Sequence, residues 1–177
     1  MAAGLLLAGI AACLLMILLA RLLLLLLFFS GQPWHGSPAS PIHTMIVLGS
    51  GGHTAEMLTL TGTLSTTAYT PRCYVVAATD SHSAEKVLAT EKRRTPDPPD
   101  ALAHVTIARI PRSREVGQPF TTSVFSTLVA LAAAFSLVLR RRPDLVLVNG
   151  PGTCIPVCAA AFLLRLLWVS DSRIVYV

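Results

Sequence analysis

Thr44-Met45-Ile46-Val47-Leu48-Gly49-Ser50-Gly51-Gly52-His53-Thr54 is the stretch that decides the fold. Its first five residues carry no charge and no turn chemistry, and they read as a buried strand. Three glycines and a serine interrupt the run, and from Thr54 to residue 64 the spacing becomes helical. Downstream the rhythm repeats. Strands are expected at 72–78, 104–110, 144–148 and 173–177, with helices at 83–93, 122–142 and 154–168. The tract 95–100 contains three prolines and reads as a loop. The strands are continuous apolar runs rather than alternating ones, the pattern of strands covered on both faces. The expected fold class is therefore α/β, a doubly wound, mostly parallel Rossmann-like sheet. Ligands of such sheets bind beyond the carboxyl ends of the strands. The loops 49–53, 79–83, 111–118 and 149–153 should then share one rim.

Upstream of this unit, no side chain from Met1 to Ala20 is charged, and after Arg21 residues 22–29 are again wholly apolar. A membrane-spanning helix needs about 20 such residues. A cleaved signal peptide would carry a basic start and a shorter apolar core. The expectation is one N-terminal transmembrane anchor over 1–29, a linker over 30–42, and a domain over 43–177. The linker is rich in Gly, Pro and Ser, and Trp34 suits the headgroup level. Arg21 is the only basic residue near either end of the apolar run, and the positive-inside rule then puts the domain on the cytosolic side. Helices 122–142 and 152–168 are apolar enough to raise the possibility that they span as well. Burial against the sheet is expected for both, with insertion of one face into the membrane surface as the alternative.

Composition agrees with an anchored domain. Of 177 residues 53% are apolar and 13% charged, against a usual charged share of about 25%. The net charge of +5 suits a phosphate-bearing ligand or an anionic membrane surface, and it is too small to suggest nucleic acid. Cys13, Cys73, Cys154 and Cys158 match no zinc or disulfide spacing and read as small buried hydrophobes. Neither a metal nor a cofactor is expected.

The rim residues carry the chemistry. Glycine in Gly49, Gly51 and Gly52, with Ser50, lets the backbone turn and lets a ligand approach its amides. The helix behind them attracts phosphate through free N–H groups and its dipole. No Gly-Lys-Ser/Thr follows, so this is not a Walker loop, and Thr54 occupies the third glycine position of the dinucleotide pattern. His53 sits at the helix start, either as a proton acceptor for an attacking hydroxyl or as a loop-ordering hydrogen-bonding group. In Arg112-Ser113-Arg114-Glu115 the two guanidinium groups match phosphate oxygens, and Glu115 is an ion-pair partner or an alternative base. A solvated salt-bridge cluster is the plainer reading of the same four residues. Asn149, Gly150, Gly152 and Thr153 form a second glycine turn entering a helix. Arg140-Arg141-Arg142 ends a helix at its negative pole.

These motifs, Gly-Gly-His at 51–53, Pro-Arg-Ser-Arg-Glu-Val at 111–116 and Asn-Gly-Pro-Gly-Thr at 149–153, carry a resemblance over essentially the whole chain. It resembles the asparagine-linked glycosylation 14 family, the membrane-anchoring subunits of a two-component UDP-N-acetylglucosamine transferase of the dolichol pathway. The Gly-Gly-His loop is shared more widely with lipid-linked transferases of the MurG type. The resemblance implies half of a split GT-B enzyme on the cytosolic face of the endoplasmic reticulum. This chain would be the acceptor-side half, and a separate soluble subunit would bind UDP-GlcNAc. Together they would add the second GlcNAc to GlcNAc-diphosphodolichol with inversion, and this chain would not act alone. The family also implies further helical sequence after Val175-Tyr176-Val177, so the domain is expected to be incomplete at its C-terminus.

Two rival readings stand beside this one. A membrane-anchored NAD(P)-dependent reductase would use Asp80, at the end of the second strand, to bind ribose. Against it, Thr54 breaks the glycine pattern and no Tyr-x-x-x-Lys pair occurs. A membrane adaptor without chemistry is the other.

Overall fold

The computed structural model of the protein describes residues 2–27, 37–49, 51–94, 102–115, 117–150 and 152–177. The expected interfacial Trp34, the proline tract 95–100 and Ser50 lie outside the described residues.

A helix of 26 residues, α1 (Ala2–Leu27), opens the chain and is exposed along nearly its whole length. It is long and apolar enough to cross a membrane. Its Arg21 guanidinium lies 5.0 Å from the ring centroid of Trp168, a cation–π contact that touches the anchor to the domain.

The domain is a five-stranded, wholly parallel sheet. Its strands are β1 (Thr44–Val47), β2 (Arg72–Ala77), β3 (Val105–Ile110), β4 (Leu145–Val148) and β5 (Arg173–Tyr176), in spatial order β3-β2-β1-β4-β5. The helices between them are α2 (Gly52–Gly62), α3 (Ser81–Arg94), α4 (Phe120–Arg141) and α5 (Cys154–Leu166). The three inner strands are buried at every residue, which their uninterrupted apolar runs require, whereas β3 and β5 at the edges are partly open. Side chains alternate across the sheet. Met45, Val47, Cys73, Val75, Val146 and Val148 face α4 and α5. Ile46, Leu48, Tyr74, Val76, Leu145 and Leu147 face α2 and α3. Ile42, at the end of the expected linker, is buried in this second core and donates its N–H to the Ala68 carbonyl.

Helix α4 begins two residues earlier than the hydroxyl-rich start at Thr122 suggests, because Pro119 supplies extended backbone ahead of it and Phe120 starts the turn. It ends where Arg142 adopts a left-handed conformation and Pro143 follows. Its buried residues include Ala130, and Ala134, Leu137 and Val138 sit against the sheet as expected. The first turns differ, since Phe120, Val124, Phe125 and Leu128 stand exposed. Of the cysteines, Cys73 and Cys154 are buried and Cys158 is half-buried, while Cys13 is exposed on α1. Burial pushes the Cys154 thiol up to about 11, against the hydrogen bond it makes to the Asn149 carbonyl.

Candidate functional site

In the order β3-β2-β1-β4-β5 the chain leaves β1 toward one edge and later returns beside it as β4. The crevice between the carboxyl ends of β1 and β4 is the switch point at which such sheets bind ligands. The loops after these two strands approach closely there. A Cβ on Gly49 would fall 2.8 Å from the Asn149 carbonyl oxygen and 2.9 Å from the His53 Cβ. A Cβ on Gly150, whose φ is +90°, would fall 2.8 Å from His53 Cδ2. Glycine at both places is thus a condition for the His53 ring to lie in the crevice.

Helix α2 starts at Gly52, two residues before the expected start, so His53 belongs to its first turn. Gly51 caps the helix with φ 70° and offers no side chain, which leaves the first N–H groups open toward the rim. Behind them the Thr54 hydroxyl bonds to the Gly49 carbonyl and stands 2.8 Å from the Ser83 hydroxyl. His53 Nδ1 lies 3.3 Å from Glu56 Oε2, and Asn149 Nδ2 donates to that same oxygen at 3.1 Å. Glu56 was missed by sequence reading. Its only signal is a position one turn after His53, which any surface carboxylate might occupy by chance.

The remaining rim residues divide. Arg112 faces an open cavity of about 560 Å³, lined also by Gly51, Asp80, His82, Ser83 and Lys86. Its Nε is buried with no partner among the described residues. Arg114 turns the other way. Its Nε and Nη2 donate to the Gln118 carbonyl at 3.1 and 3.0 Å, and the guanidinium lies 4.1 Å from the Phe120 ring centroid. Glu115 is exposed, and its backbone N–H donates to Gln118 Oε1 at 3.0 Å. No ion pair joins Glu115 to either arginine among the described residues. Ser113, another residue sequence reading passed over, ties two loops by donating to the Gly152 carbonyl at 3.1 Å. Gly152 has φ +74° and Thr153 is buried ahead of α5.

Asp80, the residue on which the reductase reading turned, is the cap of α3. Its Oδ1 accepts the Ser83 N–H at 3.0 Å and its Oδ2 the Ser83 hydroxyl at 2.7 Å. Burial would raise its carboxyl, yet the Ser83 hydrogen bonds and the Arg112 charge hold it below the usual carboxylate range. The four predicted loops do share one rim, linked by contacts of Thr54 with Ser83, His53 with Gly150, and Ser113 with Gly152. Among the described residues no three His, Cys, Asp or Glu side chains converge as a metal site would require.

Known proteins are similar to this chain in sequence. The mouse UDP-N-acetylglucosamine transferase subunit ALG14 is 48% identical over 147 residues, covering 82% of this chain and 67% of the mouse protein. The human protein of the same name is also 48% identical, over 80% of this chain and 65% of its own length. The one from the yeast Yarrowia lipolytica is 40% identical over 84% of this chain and 65% of its length. The chain spans about two thirds of the length of these relatives. No solved structure is significantly similar to it. Residues 44–177, the whole sheet domain, match the family of oligosaccharide biosynthesis proteins described as Alg14 like, and the chain belongs to that family.

Proposed function

We propose that this chain is the membrane-anchored, acceptor-side subunit of a two-component UDP-N-acetylglucosamine transferase. It adds the second GlcNAc to GlcNAc-diphosphodolichol, and a separate soluble subunit binds UDP-GlcNAc. The anchor α1 crosses the endoplasmic reticulum membrane once, with its N-terminus in the lumen and the domain in the cytosol. The observation that carries the reading is the His53 imidazole held between two glycine loops at the switch point, in a chain whose relatives bear that transferase name. The open N–H groups at the start of α2, the Arg112 guanidinium and the turn Asn149, Gly150, Gly152 and Thr153 suit the acceptor diphosphate. Arg114 shapes the loop beside them.

In the reaction, neutral His53 takes the proton of the acceptor hydroxyl at Nε2. The hydroxyl oxygen bonds to the anomeric carbon of the donor while that carbon's bond to the UDP oxygen breaks. UDP leaves with the electron pair, and a single displacement inverts the anomeric centre. Glu115, exposed on the loop after β3, is the reserve candidate for the base.

The test is transfer from UDP-GlcNAc to GlcNAc-diphosphodolichol in sealed microsomes carrying this chain with the soluble subunit. Transfer is expected only with both chains present, and added protease should remove the domain. Transfer by the soluble subunit alone, or a protease-protected domain, would contradict the reading. Binding of NADH, followed by its fluorescence, would favour the reductase instead.

A further inference from the structure

Glu56 projects from α2 beside His53, and one of its oxygens meets both ligand loops at once. His53 Nδ1 is 3.3 Å from that oxygen and Asn149 Nδ2 is 3.1 Å from it. An exposed pair three residues apart on a helix is by itself weak. Two observations set this one apart. Asn149 is only 6% exposed and reaches Glu56 from 93 positions away in the chain. The imidazole lies close beside Gly150, where even a methyl group would collide with ring atoms Cδ2 and Cγ. The ring is thus flanked by Gly150 and held at its Nδ1 edge by Glu56, which Asn149 of the same loop also holds.

We propose that Glu56 is the positioning residue of His53, selecting the tautomer that carries its proton on Nδ1 and leaves Nε2 free to accept one. A neutral imidazole has one N–H, and the hydrogen bond made by one nitrogen decides which nitrogen keeps it. The carboxylate can only accept, so it holds the proton at Nδ1. Nε2 has no hydrogen-bond partner among the described residues. Once Nε2 has taken the acceptor proton, the imidazolium lies against a negative charge that stabilises it. Without Glu56, Nδ1 loses this acceptor and the proton is free to move to Nε2, which turns the base into a donor. The inference rests on the reading of His53 as the base, and the experiment separates the two.

Selective 15N-histidine labelling of the detergent-solubilised full chain, at about pH 8 where an ordinary imidazole is neutral, reports the tautomer directly. The His53 resonance is assigned by its loss in His53→Gln. The parent should show the proton on Nδ1, and Glu56→Ala should move it to Nε2. Glu56→Gln, whose amide oxygen can replace the carboxylate oxygen, should keep it on Nδ1. In the two-chain transfer assay Glu56→Ala should lower kcat by about 10²-fold with the acceptor KM little changed, and Gln should recover part of the loss. An unchanged tautomer in Glu56→Ala would overturn the positioning role. A changed tautomer with full transfer activity would overturn the reading of His53 as the base, and with it the part of Glu56 in transfer.

Discussion

Arg112 and Arg114 stand two positions apart and meet different surroundings. The Arg112 guanidinium opens on the cavity beside Gly51 and has an unpartnered Nε, whereas Arg114 is tied to the Gln118 carbonyl and the Phe120 ring. A charge-assisted contact to phosphate contributes roughly 1.5–3 kcal/mol, or about 10- to 150-fold. Arg112→Ala should therefore lower kcat/KM for the lipid-linked acceptor by that factor, and Arg112→Lys should recover only part because it lacks the planar fork. Arg114→Ala should cost no more than a few-fold, through a looser loop. Steady-state kinetics with the acceptor varied at saturating donor checks both, and equal losses would contradict the division. Sequence alone treated the two arginines as equivalent, since their distinction arises from which way the backbone turns after β3. Gly49 and Gly150 were legible as loop glycines, but not as the two walls that make room for the His53 ring. Glu56 was illegible because its defining partner, Asn149, is 93 residues away.

Among the elements, β2 and α3 are joined by a charged cluster inside the molecule. Glu91, fully buried on α3, accepts from Arg72 Nη2 at 2.7 Å, from the Tyr74 hydroxyl at 2.5 Å and from Arg94 Nη1 at 2.8 Å. Arg72 also donates to the carbonyls of Thr66 and Tyr69, which anchors the approach to β2. Removing one partner of such a buried set leaves uncompensated charge and typically costs about 3–5 kcal/mol. Glu91→Ala should lower the thermal unfolding midpoint of the solubilised chain well below that of an exposed control such as Glu85→Ala. Equal midpoints would show the cluster to be dispensable. The inner strands β1, β2 and β4 were readable because burial on both faces leaves an unbroken apolar run. The exposed first turns of α4 were not, because Phe120, Val124, Phe125 and Leu128 look in sequence like the residues that α4 buries further on.

At the scale of the whole molecule, a parallel sheet turns four separate loops into one rim, and its strand order puts the loops of β1 and β4 side by side. The alternation of strands and helices was legible, because each strand's apolar run ends in turn chemistry. The order β3-β2-β1-β4-β5 was not, since it depends on which way each crossover turns. Asp80 shows the limit of position without context. It stands where a ribose-binding acid would, yet Ser83 occupies both of its oxygens. The account places proton transfer at His53, and the kinetics of His53→Ala and His53→Gln in the complex with the soluble subunit test it most directly. His53→Ala should lower kcat by about 10²–10⁴-fold with acceptor KM nearly unchanged. His53→Gln should not recover it, because an amide hydrogen-bonds but does not take the proton. A Gln variant near parental turnover, with the alanine defect appearing as weaker acceptor binding, would contradict the assignment and move the base to Glu115.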